Sequence, residues 1–133
     1  MSDRAFIDTN VFVYALAQGD LRSEAARKIV TVGGVTSVQV LNEFVSVSRR
    51  KLGLSWTDIA AEIELIKLSV ASIVPLTTNI HDDAREIAGR YKIAFYDALL
   101  IAAAVAGKCN TLFTEDLQNG AVMGSVIIRN PFL

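Results

Sequence analysis

Arg4-Ala5-Phe6-Ile7-Asp8-Thr9-Asn10 is a short apolar run closed by polar, turn-forming residues. Ala5, Phe6 and Ile7 read as a buried strand, and Asp8 falls where that strand leaves its sheet. In open α/β sheets, ligands bind outside the carboxyl ends of the strands. A carboxylate at that point is therefore a candidate site residue. Read alone, Asp8 is more simply a turn or cap residue, because Asp and Asn are favoured in both roles. The balance depends on whether other acids reach the same place.

Working outward, Val11 to Gln18 reads as a short helix that Asn10 can cap. Asp20 opens a second helix over 21–32, with Leu21, Ala25 and Ile29 inward, stopped by Gly33-Gly34. Val35 to Ser37 is a second strand, and Ser37 caps a third helix reaching about Lys51. Ser55-x-x-Asp58 resembles a capping box opening a fourth helix through Ser69. Ser72 to Leu76 is a third strand, placed at an edge by Pro75. Thr78-Asn79 opens a fifth helix to Tyr91, and Tyr96-Asp97 opens a sixth over 98–106. Thr111 to Thr114 and Val126 to Arg129 are the last strands. Strands alternating with helices point to one α/β domain over 1–133, with a parallel sheet covered on both faces.

Composition narrows the function. The chain has 133 residues, which suits a single domain. Hydrophobic residues make up 52%, an excess that suits a deeply buried sheet or an apolar partner surface. Thirteen basic and 14 acidic side chains give a net charge of −1, so a bulk basic surface for gripping nucleic acid is absent. The single cysteine, Cys109, reads as a small buried hydrophobe in a reducing cytoplasm. The longest apolar run, 98–107, is far short of the ~18 residues that span a membrane. Met1-Ser2-Asp3-Arg4 leads into a strand without the apolar core of a signal peptide. A soluble cytoplasmic protein is expected.

Three further carboxylates stand out. Glu43 lies in an otherwise apolar helix stretch, so it either snorkels or faces a polar cavity. Asp97 precedes Ala-Leu-Leu-Ile-Ala-Ala-Ala-Val-Ala, a helix too apolar for the surface. It can cap that helix and keep an oxygen free. Asp116 follows the fourth strand in Thr114-Glu115-Asp116-Leu117, where turn chemistry alone explains it. In a right-handed doubly wound sheet the first and fourth strands are neighbours at the switch point, which sets Asp8 beside Asp116. Four converging carboxylates raise one another's pKa unless cations intervene. An all-carboxylate site selects hard ions such as Mg²⁺ or Mn²⁺. Two ions bring +4 against −4 and suit an in-line phosphoryl displacement. His81-Asp82-Asp83 is set aside as helix-start chemistry. Trp56 and the isoleucines of the fourth helix read as core or interface. A lone histidine argues against a His-rich zinc site.

The ordered set Asp8-Thr9-Asn10 with Val-Phe-Val-Tyr-Ala, Glu43 after Val-Leu-Asn, Phe95-Tyr96-Asp97-Ala98-Leu99-Leu100, and Thr114-Glu115-Asp116-Leu117-Gln118-Asn119-Gly120 resembles the PIN-domain ribonucleases. It is most similar to the toxin components of VapBC toxin–antitoxin modules. The resemblance runs to Ile128-Arg129-Asn130-Pro131-Phe132. The family usually has His where Asn119 stands, outside the acid set. The resemblance implies a three-layer α/β/α sandwich with a five-stranded parallel sheet of order 3-2-1-4-5. It implies a Mg²⁺- or Mn²⁺-dependent endoribonuclease with one or two ions on Asp8, Glu43, Asp97 and Asp116, supported by Asn10 and Thr114. It further implies a homodimer, a cognate antitoxin that wraps the toxin, and structured RNA such as tRNA or rRNA as substrate.

The expected function is thus metal-dependent RNA cleavage, with Arg49, Arg50 and Lys92 as RNA contacts chosen for sequence proximity to Glu43 and Asp97. Two alternatives remain at this point. One is a catalytically silent PIN-type module binding RNA or protein. The other is a phospho-receiver domain, which wants an acidic pair after the first strand and a lysine ending the last one. Here the corresponding residues are Thr9-Asn10 and Arg129.

Overall fold

A computed structural model describes residues 4–133, so the lead-in Met1–Asp3 lies outside the described residues. The chain runs β1 (Ala5–Ile7), α1 (Thr9–Leu16), α2 (Ser23–Val32), β2 (Val35–Ser37), α3 (Val38–Arg50), α4 (Trp56–Ser69), β3 (Ser72–Val74), α5 (Thr78–Tyr91), α6 (Phe95–Ala106), β4 (Thr111–Phe113), β5 (Val122–Met123) and β6 (Val126–Arg129). The sheet order is β3-β2-β1-β4-β6-β5. The expected five parallel strands are β1, β2, β3, β4 and β6, in the expected order. A sixth strand, β5, is added: it hairpins back antiparallel on β6, with Gly124 at positive φ in the turn. Two residues are too few to show a period in sequence. This order also differs from the 2-1-3-4-5 order of receiver domains.

The layers follow from the connections. β1 to β2 to β3 steps one way across the sheet, so right-handed crossovers set α1 to α4 on one face. The return from β3 to β4 sets α5 and α6 on the other, and α6 packs against α5, β2, β4 and β6. Phe6, Leu112 and Ile128 stand in register across β1, β4 and β6, each fully buried. Residues 98–104 of α6 are buried throughout, which is why that helix can be apolar on every side. Gly34 allows the closest approach: a Cβ there would sit 2.5 Å from the Ala5 carbonyl oxygen.

Local chemistry sets several boundaries. Ser37 caps α3 through the Val40 amide and Ser55 caps α4 through the Asp58 amide, as expected. Others are corrected. Asp8 caps α1, and Asn10 lies inside the helix. α2 begins at Ser23 because Asp20 accepts from the Arg22 amide and holds its guanidinium, making a turn instead. Leu21 is therefore fully exposed, and Ser23 and Ala26 face inward. Thr77 caps α5. α6 starts at Phe95, so Asp97 lies in its first turn and does not cap it. No described helix is long and apolar enough to cross a membrane.

Candidate active site

The switch point between β1 and β4 builds the site. The Asp8 amide donates to the Phe113 carbonyl at 3.1 Å, which continues the ladder one residue past β1. That fixes the Asp8 side chain in the crevice, where it is 1% exposed. Its Oδ1 accepts from the Thr9 amide at 2.7 Å. Its Oδ2 accepts from the Thr114 hydroxyl at 2.8 Å and the Asn10 amide nitrogen at 3.3 Å. The α1 cap and the candidate site residue are thus the same group. Burial pushes its pKa from 3.8 to about 6, with Thr114 and Thr9 pulling it back and the charges of Asp116 and Glu43 adding to the rise.

Thr114 is fully buried and faces both ways. Its Oγ1 donates to Asp8 and accepts from the Asp116 amide at 3.1 Å. The Asn10 Nδ2 also reaches Asp116 Oδ2 at 3.3 Å. Asp8 and Asp116 are therefore joined through one hydroxyl and one amide. Burial, then the Glu115 charge, raises the Asp116 pKa, while Asn10 lowers it. Burial, then the Asp116 charge, raises the pKa of Asp97. Glu43 comes from α3: its Oε2 accepts from Thr9 Oγ1 at 3.1 Å and its Oε1 from Gln39 at 3.4 Å.

A cleft of about 340 Å³ opens between Asn10, Glu43, Lys51 and Asp116. A second, of about 400 Å³, runs on past Glu43 to Arg50 and Tyr96. A separate hollow of about 420 Å³ near Gly33-Gly34 has no carboxylate in its lining and takes no part in the site. Of the cations chosen from sequence, Arg50 borders the second cleft. Arg49 turns instead to the Leu54 carbonyl at 3.0 Å and the Trp56 ring at 4.8 Å. Lys92 ends α5 in the left-handed conformation and lines neither cleft. Lys51, at the C-cap of α3, does line the first cleft, and its place about two turns beyond Glu43 was a readable signal. The His81 ring packs on Phe95 and Asp82 pairs with Arg85, so neither faces the acids.

A bracing network beside the cleft had no sequence signal. The Tyr14 hydroxyl donates to Glu115 Oε1 at 2.6 Å and receives Arg22 at 2.6 Å, while Arg22 also pairs with Asp20 at 2.9 Å. The Arg22 guanidinium lies 3.9 Å over the Tyr14 ring. Burial and the Glu115 bond push the Tyr14 pKa up to about 12. The network ties the loop bearing Asp116 to α1 and α2.

The donor set fits a hard divalent cation. It offers oxygen ligands only, on carboxylates that disfavour one another's charge. The side-chain oxygen of Asn10, between Asp8 and Asp116, is buried without a partner. Among the described residues no three His, Cys, Asp or Glu side chains are already gathered closely enough to hold one ion. The fit lies in the oxygen-only chemistry: Glu43 and Asp116 line the first cleft, Asp8 feels the charge of both, and Asp97, which lines neither cleft, is linked to Asp116 by charge.

The chain is similar in structure to a sarcin-ricin loop cleaving toxin, VapC20 of Mycobacterium tuberculosis, at 23% identity and TM-score 0.68, over 84% of this chain and 91% of that one. A toxin–antitoxin complex from Klebsiella pneumoniae matches at 19% identity and TM-score 0.68, over 96% and 97% of the two chains. FitAcB from Neisseria gonorrhoeae matches at 23% identity and TM-score 0.64, over 96% and 98%. At these identities the likeness is one of fold. No curated protein matches the chain at a significant level. The family whose sequence model matches is the PIN domain, over residues 5–119. That span holds all four acids, and the chain belongs to the PIN domain family.

Proposed function

We propose that this PIN domain is a Mg²⁺- or Mn²⁺-dependent endoribonuclease, and the toxin half of a type II toxin–antitoxin module in the cytoplasm. The observation that carries the reading is the hydrogen-bonded join of Asp8 to Asp116 through Thr114 and Asn10 at the β1/β4 switch point. Glu43 and Asp97 flank it from two helices. One or two divalent ions bound there would supply Lewis-acid charge for phosphodiester hydrolysis. Asp8, Glu43, Asp97 and Asp116 would hold them. Thr114 and Thr9 fix the two Asp8 oxygens, so that carboxylate keeps one orientation. Glu43, held by Thr9 and Gln39, presents an oxygen edge that can accept from the attacking water. Arg50 and Lys51 supply local positive charge on a chain with none in bulk.

The toxin assignment draws on neighbours whose structures are toxin–antitoxin assemblies, one of them bound to promoter DNA. By that likeness the partners are a cognate antitoxin, a second copy of the chain, and an RNA such as tRNA or rRNA. Purified protein incubated with RNA should cleave it with Mg²⁺ or Mn²⁺ and stop in EDTA. Asp8→Asn and Asp97→Asn should each lose on the order of 100-fold or more of that activity. Full activity in either variant overturns the assignment, and a wild type that binds RNA without cleaving it makes the chain a silent binding module.

A further inference from the structure

The polar face of α3 runs past Glu43 to the C-terminal end of the helix. Gln39, Asn42, Glu43, Ser46 and Arg50 fall at helical spacing along one side of it, and all line the second cleft. Opposite them stands Tyr96, from the first turn of α6, with 63% of its surface exposed. An aromatic ring so open and facing amides and a guanidinium is no part of the core. Its neighbour Phe95 meets it edge to face at 5.7 Å and packs in turn on His81 at 5.3 Å, so the ring is braced from one side. Arg50 is braced as well, its Nε donating to Ser46 at 3.0 Å.

We propose that this cleft is a nucleotide subsite for an unpaired RNA base beside the cleaved phosphate, with the base stacked on Tyr96 and the next phosphate on Arg50. The proposal rests on the nuclease reading and adds Tyr96 to its RNA contacts. Two observations converge on it. Glu43 belongs to both clefts, so a strand lying in one continues into the other. Glu43 and Arg50 are about 10 Å apart along the α3 axis, room for a nucleotide between the acidic and basic ends. Stacking requires a free base face, which a duplex does not offer and an unpaired loop does. The Asn42 amide is exposed and Gln39 is engaged only at 3.4 Å by Glu43, so both can bond a base edge.

The test is binding, not cleavage, so it stands apart from the nuclease assay. A fluorescein-labelled single-stranded oligoribonucleotide and its duplex are titrated with the protein in EDTA, read by anisotropy. Wild type should favour the single strand at least tenfold. Tyr96→Ala should lose about tenfold of that affinity, and Tyr96→Trp should retain it. Arg50→Ala should lower the salt slope of binding by about one. Tyr96→Ala binding as wild type does, a duplex preference, or no binding at all overturns the subsite. So does a Tyr96→Ala change in oligomeric state without a change in single-strand affinity, which would make the ring an interface between copies. Wild-type binding with the expected Tyr96 effect but no cleavage under Mg²⁺ sinks the nuclease reading and leaves the subsite standing.

Discussion

The two halves of the candidate site are built differently. On the strand side, Asp8 is buried and its donors are the backbone or short side chains at the start of α1 and the end of β4: the Thr9 amide, Asn10 and Thr114. On the helix side, Asp97 is shifted only by burial and by the Asp116 charge, with no donor among the described residues drawing it back. Glu43 is held by single side-chain bonds. Backbone and short side chains orient the first half, whereas in the second, among the described residues, Glu43 rests on Thr9 and Gln39 alone. A cation is what would complete it, because opposite charge favours the ionised form of every acid present.

The sharpest way to break this contrast is to remove one acid from each half. Asp8→Asn and Asp97→Asn should each lower RNA cleavage by on the order of 100-fold or more, measured as kcat/KM with Mn²⁺, since a lost ligand should cost at least as much as a lost supporting bond. In stability the effect should be larger for Asp8 than for Asp97, whose pKa is raised in the same direction. Asp8 binds its proton more tightly folded than unfolded, since its pKa rises from 3.8 to about 6. Stability from this group is therefore greatest below about pH 4, falls as pH rises towards about 6 and stays low above it. The window is worth about 3 kcal/mol. In EDTA, denaturant unfolding should show Asp8→Asn more stable than wild type at pH 7.5, with the gap closing by pH 4. Equal stability of the two at both pH values would show that burial does not strain the carboxylate.

Smaller effects sharpen the comparison. Thr114→Val keeps the shape but removes the hydroxyl between Asp8 and the Asp116 amide. Activity should fall ~10–100-fold, the range for supporting groups at metal sites, and the acid limb of the pH–rate profile should move upward as Asp8 loses a donor. Gln39→Ala, on the helix side, should cost far less. Least of all, Tyr14→Phe leaves Glu115 and Arg22 to pair directly, and chemical unfolding should register about 1 kcal/mol.

How much of this was legible in sequence follows the same division. The strand-side residues were readable because their chemistry is local: an apolar triplet, then Asp8, and another triplet, then Thr114 and Asp116. Alternation and handedness set β1 beside β4, the full strand order came only with the family resemblance, and Ser37 and Ser55 declared their helices by capping. What failed was long-range or unsignalled. α6 begins at Phe95 after Ala94, whose side chain caps nothing, so no residue type marked its start. Leu21 looked inward by periodicity until the Asp20–Arg22 turn shifted the helix. Two-residue β5 had no period to read. Arg49 and Lys92 were near the acids in sequence and are turned away in space. The stripe from Gln39 to Arg50 was visible at helical spacing, but only Tyr96 opposite it makes it a cleft.

The most direct measurement is Mn²⁺ binding by calorimetry, on wild type, Asp8→Asn and Asp97→Asn, with no RNA present. One site built from both halves predicts binding of one or two ions to wild type and a clear loss in each variant. Binding unchanged in Asp97→Asn, or absent from a wild type that still cleaves RNA, would contradict it.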